Sequence, residues 1–419
     1  MGSMIVLAVG RLEIDWGKNS GFTDHSALFQ QTDLAQVPYY YVDEANPENE
    51  NGSFNLVAEY KDGMSKRLAD VIDRINLLGH TPAYARREFD YLSQLNGFET
   101  KTFSFDDLAH ALASVDVQAV SADYGEGDED FGKFFHRYML ERLGVALDPV
   151  SSWSVSEGME NLSAYTVLQL LARNPLAASL PVTWQFADVE HGGWAHRSDF
   201  LKRLEQSNRF LIVTEGSSDA GIIKHAFRIL KPHIADFFDF VDMAEGYPFS
   251  GTGNLFNFTK GLISISVQNN VVVIYDNDAE GVYNFDRTSG LNIPDNMRIL
   301  KLPDLPEFTE FETVGTSGHH RANINRRAAA IECYLDTGRS PIVRWKNFHK
   351  DLGVYHGELI DKTDAMNRFY SVTDAQQDYD FSKIVAVLEM IVSECVAMRE
   401  RALLKELEAK ILPAASDDD

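Results

Sequence analysis

The sequence is short of cysteine, of basic charge and of long apolar runs. Its 419 residues include only two cysteines, Cys333 and Cys395. Neither sits in a ligand or bridge pattern, which excludes a disulfide framework and a cysteine-built zinc module and fits a reducing cytoplasm. No run of about 18 apolar residues occurs, so no transmembrane span and no membrane partner are expected. The opening MGSMIVLAVG lacks the basic and long apolar regions of a secretory signal, so a cytoplasmic location is expected. Lys and Arg number 38 against 63 Asp and Glu, a net charge of −25. Phosphate neutralisation carries non-specific affinity for nucleic acid. So acidic a chain should not grip bare duplex over its whole surface; any such binding needs a local basic strip or a partner. The hydrophobic fraction of 44% is that of an ordinary globular protein, and the length suits two or three domains of about 100–200 residues.

What is there centres on Phe210 to Gly281. Phe210, Leu211, Ile212 and Val213 run into Glu215 and Gly216, and Val271 to Tyr275 run into Asp276, Asn277 and Asp278. Short, continuous β-branched runs read as strands buried on both faces of a parallel sheet. Both acidic clusters then lie past the carboxyl ends of core strands, the edge where open α/β sheets bind ligands. Ser217, Ser218 and Asp219 are N-cap types, and Ile222, Ile223, Ala226, Phe227 and Leu230 follow at helical spacing. Phe237 to Met243 fits an intervening strand, Ser250 to Asn254 a turn and Leu255 to Ser264 a second helix.

Carboxylates gathered at neighbouring strand ends cannot all ionise cheaply without a cation. A hard divalent ion that prefers oxygen, Mg²⁺ or in its place Mn²⁺, is the natural counter-charge. Glu215-Gly216 with Asp219, followed by Asp276-x-Asp278 and Gly281, resembles the Toprim domain over roughly Arg209 to Leu302. Topoisomerases, bacterial primases, recombination proteins and the overcoming-lysogenisation-defect class of nucleases share that domain. The resemblance implies an α/β, Rossmann-like fold with a mainly parallel sheet. It also implies Glu215, Asp276 and Asp278 as catalytic residues and metal ligands. The bland alternative is a pair of acidic turns after buried strands.

The N-terminal third reads as α+β. Strands are expected at Met4 to Gly10, Pro38 to Val42 and Phe54 to Tyr60. Helices are expected at Met64 to Leu78, Ala83 to Leu95, Phe105 to Ala113 and Phe131 to Leu143, with surface loops over Asp43 to Ser53 and Asp123 to Asp130. Gly10 to Asn19 (GRLEIDWGKN), Asp24-His25-Ser26 and the Pro38 strand resemble the HEPN/Toprim-associated N-terminal module of bacterial proteins. For Trp16 and His25 the plain reading is a core anchor and a turn cap. Ser163 to Ala172 reads as a helix, and the His191 to His196 stretch as a loop.

After Pro303 the character changes. Between His319 and Lys350 seven basic residues, among them Arg321, Arg326, Arg327, Arg344 and Lys346, face only Glu332 and Asp336. Arginine forks suit phosphate, so these five are the candidate nucleic-acid contacts; pairing with an acidic surface is the alternative. A helix is expected from Asn325 to Leu335, and on it Glu332 resembles the extra downstream glutamate of lysogenisation-defect-type nucleases, a further metal ligand. Lys362 resembles the lysine that such nucleases place near the scissile phosphate, though a surface lysine explains it too. Ile384 to Leu412 reads as one helix whose stripe of Ile384, Leu388, Ile391, Cys395 and Met398 is either a homodimer seam or an internal contact. Asp417 to Asp419 reads as a solvated tail.

The expected organisation is therefore an associated N-terminal domain (1–150), a helical connector (151–207), the Toprim core (208–305), a basic, helical extension (306–380) and a C-terminal helix with an acidic tail (381–419). The implied activity is Mg²⁺-dependent cleavage of DNA or RNA. Proteins of this layout resemble effectors of antiphage and mobile-element defence, which leaves open a regulatory partner protein such as an ATPase. Strand passage is excluded for want of a large gate domain, and a primase for want of a zinc module. Two alternatives stand. One is a metal-independent HEPN-type ribonuclease, whose Arg-x4–6-His spacing is met by Arg344 to His349 and Arg74 to His80. The other is a catalytically silent nucleotide-binding sensor or scaffold.

Overall fold

The apolar runs of the second half do lie side by side. The computed structural model describes residues 2–48, 55–95, 103–118, 120, 134–135, 139–144, 155–156, 158–241 and 252–411. The expected loop over 123–130 and the tail over 417–419 lie outside these residues, as do parts of the segments expected over 43–53, 131–143 and 250–254. The chain divides into two units, one from Met1 to Leu204 together with the residues from Arg399 onward, the other from Glu205 to Met398. Among the described residues no helix is long and apolar enough to cross a membrane.

The first unit is built on a five-stranded sheet in the order β2-β1-β5-β4-β3. Its strands are β1 (Met4–Val9), β2 (Leu12–Lys18), β3 (Leu34–Val42), β4 (Leu56–Arg67) and β5 (Pro181–Gln185). Helices α1 (Leu68–Leu77), α2 (Pro82–Leu95), α3 (Phe105–Ala113) and α4 (Ala164–Leu171) accompany it. Two expectations are corrected. The helix begins at Leu68, not Met64, because Met64 to Arg67 continue β4 by pairing with Trp184 to Pro181. The segment 151–207 is not a helical connector: its strand β5 is the centre of the sheet and buries Trp184.

The second unit holds a four-stranded, all-parallel sheet in the order β10-β8-β6-β7. The strands are β6 (Phe210–Thr214), β7 (Phe238–Phe240), β8 (Asn270–Tyr275) and β10 (Met297–Lys301). Every residue of β8 is buried, as a central strand covered on both faces must be. Helices α5 (Ser217–Leu230), α6 (Thr252–Ser264) and α7 (Ala279–Ser289) follow the strands. Thr214 pairs with Ile274, so Glu215 and Asp276 emerge at one edge of the sheet.

The chain then departs from the helical expectation over 306–380. It builds a second four-stranded sheet, β12-β11-β14-β15, from β11 (Phe311–Gly315), β12 (Gly318–Ala322), β14 (Val343–His349) and β15 (Val354–Leu359). Only α8 (Lys362–Tyr370) in this stretch is a helix of several turns. The Asn325 to Leu335 helix does not form. Ala328–Ala329 is a short strand, β13, paired antiparallel with β9 (Asn277–Asp278), and Ile331–Tyr334 is a 3-10 turn. Helix α9 spans Ser382–Ile411. Its stripe of Ile384, Leu388, Ile391, Cys395 and Met398 is buried within the single chain, which removes the need for a dimer to cover it.

Candidate active site

The site is assembled where β6 and β8 end. Glu215 Oε1 accepts the Asp276 N–H at 3.0 Å, so the two strand ends touch directly. Asp276 Oδ1 accepts the Ile331 N–H at 3.0 Å. Asp278 caps α7, its Oδ1 accepting the Gly281 N–H at 2.7 Å. Asp219 Oδ2 accepts the Gly216 N–H at 2.9 Å across the first turn of α5. Gly281 is required by close approach: a Cβ there would lie 2.3 Å from the Asp276 carbonyl oxygen, so a side chain would push the helix start off the strand end.

Asn277 is fully buried and works as a lock. Its Oδ1 accepts from Lys301 Nζ at 2.8 Å and from the Arg326 N–H at 3.0 Å, and its Nδ2 donates to Asp304 Oδ1 at 2.9 Å. Asn325 joins the same loop to Leu305 by two bonds, from the Leu305 N–H at 3.0 Å and to its carbonyl at 2.9 Å. Tyr334 donates to the Pro303 carbonyl at 2.6 Å. These bonds hold the 323–334 loop against the sheet edge. They explain why an Ala-rich segment with good helix propensity is extended instead.

The lock brings Glu332 to the carboxylates from a 3-10 turn instead of a helix. Glu332 is buried, and its charge acts on both Asp219 and Asp276. Burial, and after it the Asp278 charge, holds the Glu215 carboxyl well above the usual carboxylate range. Asp276 is pushed well up by burial, then by Asp219, Glu215, Asp278 and Glu332. Burial also raises Asp278, against the Gly281 N–H and His356, which lower it. Asp219 is pushed up to about 6, first by burial and then by Glu332. Five carboxylates thus share one field. In the conformation described, several of their oxygens are turned onto backbone N–H groups. In this conformation no three His, Cys, Asp or Glu side chains among the described residues are gathered closely enough to hold an ion.

His356 on β15 joins the site without any local pattern in the sequence to announce it. Its Nδ1 is buried, has no hydrogen-bond partner among the described residues and lies 3.6 Å from Asp278 Oδ2. It stands 78 positions from Asp278 in the chain, and only the tertiary fold brings the two together. Arg326 and Arg327 are exposed on the locked loop, and Arg327 bridges Asp278 through backbone pairing. Arg326 has a positive φ of 64°, an uncommon conformation for a side-chain-bearing residue, held by its N–H bond to Asn277. Arg321 lies on β12, where its nearest acid is Glu312 at 3.8 Å, and Lys346 on β14 pairs with Glu358. Arg344 is exposed on the same strand. Lys362 is exposed at the start of α8, and the acid it acts on is Glu358.

The HEPN-type spacings fare differently. Arg344 and His349 share a strand, not a helix. Arg74 is fully buried and donates from Nε to the Ala27 carbonyl at 3.0 Å and from Nη2 to the Phe29 carbonyl at 3.1 Å. His80 is wedged edge-on against Tyr84 and Tyr165, and burial pushes its pKa down to about 4. Arg74 is part of the core, and His80 packs at its border. His25 likewise makes no capping bond; it is buried, with Nε2 at 2.7 Å from Asp15 Oδ2 and its ring edge-on to Trp184.

Residues 1–208 match the family model described as HEPN/Toprim N-terminal domain 1. The match supports a HEPN/Toprim-associated protein and hints at nuclease-related function. No curated protein and no solved structure matches the chain.

Proposed function

We propose that the chain is a divalent-metal-dependent Toprim nuclease that cleaves phosphodiester bonds of DNA or RNA, and that it serves as an effector of antiphage or mobile-element defence. One observation carries this reading. Glu215, Asp219, Asp276, Asp278 and Glu332 share one field at the carboxyl edge of a parallel sheet, and four of them are held above their usual range. A fold does not gather like charges there without a counter-charge. All-oxygen donors of this kind suit a hard divalent cation.

Asp276 and Asp278 are the residues that would hold such an ion, with Glu215 beside them and Glu332 for a second. A bound Mg²⁺ or Mn²⁺ supplies Lewis-acid polarisation of the phosphate and a bound water of lowered pKa. The chain's own residues do the rest. In its ionised form Glu215 is the candidate general base for the attacking water. Arg326 and Arg327, exposed on the loop that pairs with Asp278, hold the phosphate by forked donors. Asp219 fixes the first turn of α5 through its bond to Gly216 and sets the field felt by Asp276. Lys362 is a more distant candidate for the same phosphate.

The HEPN-type ribonuclease alternative is not favoured, because Arg74 is spent in the core and His80 in packing at its border. The test is incubation of the full chain with labelled single- and double-stranded DNA and RNA in Mg²⁺, Mn²⁺ or EDTA. Cleavage in metal alone is expected, whereas equal cleavage in EDTA overturns the reading.

A further inference from the structure

The β14–β15 hairpin carries two aromatic rings that the core leaves out. Phe348 and Tyr355 pair directly across the hairpin and so share one face. Their rings meet edge-on at 5.2 Å, yet Phe348 is 52% and Tyr355 57% exposed. Basic side chains surround them in sequence: Arg344 and Lys346 precede Phe348 on β14, and Lys350 begins the turn. The next residue on each strand leads inward. His349 sets its ring 5.4 Å from Tyr283 of α7, the helix capped by Asp278. His356 follows Tyr355 and reaches to 3.6 Å from Asp278. Beyond Tyr283 the Arg287 guanidinium lies over the Tyr283 ring at 5.5 Å and over Phe256 at 4.1 Å.

We infer that the outer face of this hairpin is a stacking platform for an unpaired nucleic-acid strand, an inference that rests on the nuclease reading above. Exposed aromatic faces beside basic side chains are what an unpaired strand needs. Bases stack on the rings whatever their identity, and the cations follow the phosphates. A duplex hides its base faces and offers only phosphate to such a surface. The chain's net charge of −25 disfavours broad phosphate binding and makes the non-ionic stacking contribution the larger one. Tyr355 and His356 are neighbours on β15 and face opposite sides of the hairpin, so the hairpin that presents the ring pair outward also carries the histidine that approaches Asp278. The platform thus selects single strands, splayed ends or loops over intact duplex.

The test is fluorescence anisotropy in EDTA with the full chain and labelled oligonucleotides: single-stranded DNA, single-stranded RNA, and duplexes of each. The parent protein should bind the single strands more tightly than the duplexes. Phe348→Ala with Tyr355→Ala should weaken single-strand binding by about tenfold or more and change duplex binding by less than about twofold. Phe348→Tyr with Tyr355→Phe keeps both rings and should restore single-strand binding. Thermal unfolding identical to the parent's confirms that the exposed substitutions leave the fold alone. Single-strand binding unchanged in the double alanine variant, or a parent that prefers duplex, overturns the platform. Because binding is read without metal, absence of cleavage in every metal would sink the nuclease reading and leave the platform to be judged separately. The DNA and RNA arms identify which strand is taken.

Discussion

Replacing Asp219 by Asn should stabilise the metal-free protein, and only at neutral or alkaline pH. Asp219 is raised from an ordinary 3.8 to about 6 by burial and by Glu332. A tenfold change in a proton-binding equilibrium is worth about 1.4 kcal/mol, so ionising Asp219 in the fold costs at most about 3 kcal/mol. Asp219 is only half-buried as a residue, and screening brings this to about 1–2 kcal/mol. The sign follows from proton counting. Between 3.8 and about 6 the folded carboxyl keeps a proton that the unfolded one has lost, so stability falls as pH rises through that window and the penalty is complete above it. Asn cannot ionise, but its Oδ1 can still accept the Gly216 N–H that Asp219 accepts at 2.9 Å. The variant should therefore melt about 2–8 °C above the parent near pH 8, with the gap closing near pH 4. Thermal unfolding followed by circular dichroism across that range in EDTA provides the assay. A variant no more stable than the parent at alkaline pH, or a gap that ignores pH, refutes the idea that crowded carboxylates strain the metal-free fold.

Two further outcomes follow from the same geometry. Arg326→Glu with Arg327→Glu should weaken nucleic-acid binding and reduce the steepness of its salt dependence by roughly one to two phosphate contacts; an unchanged salt slope in a folded variant makes these arginines structural only. Gly281→Ala places a methyl 2.3 Å from the Asp276 carbonyl oxygen. It should cost about 1–3 kcal/mol by overpacking and lower metal-dependent cleavage as well, whereas denaturant unfolding indistinguishable from the parent's would contradict the close approach.

The parallel sheet is legible in the sequence because Val271 to Ile274 of β8 are a continuous β-branched run that leads through Tyr275 to acid, a pattern that suits a strand buried on both faces and ending at a sheet edge. The helix after Glu215 is legible from its cap types and spacing. Met64 to Arg67 misleads because it runs without a break into the helical spacing of Leu68, Val71, Ile72 and Ile75, and pairing with β5 decides it. The Arg-Arg-Ala-Ala-Ala run misleads for a different reason. Its local propensity is helical, but two backbone pairings with β9 and the side-chain bonds of Asn277 and Asn325 outweigh it. Glu332 still arrives at the carboxylates, though by a route the sequence does not reveal. The approach of His356 to Asp278 joins residues 78 positions apart, which no short window of sequence encodes, and the exposed Phe348–Tyr355 pair depends on the register of a hairpin interrupted by a bulge.

If the carboxylate cluster at the β6–β8 edge binds a divalent cation and cuts phosphodiester bonds with it, Asp276 is the sharpest probe. The other four carboxylates converge on it, and it is not needed for a helix cap. Single-turnover cleavage of a labelled oligonucleotide should be compared for the parent and Asp276→Asn in Mg²⁺, Mn²⁺ and EDTA. The parent should cleave only with metal, and Asp276→Asn should lose about a thousandfold or more in rate while folding as well as the parent. Cleavage by Asp276→Asn at the parental rate, or by the parent in EDTA, would contradict a metal-dependent site at this edge.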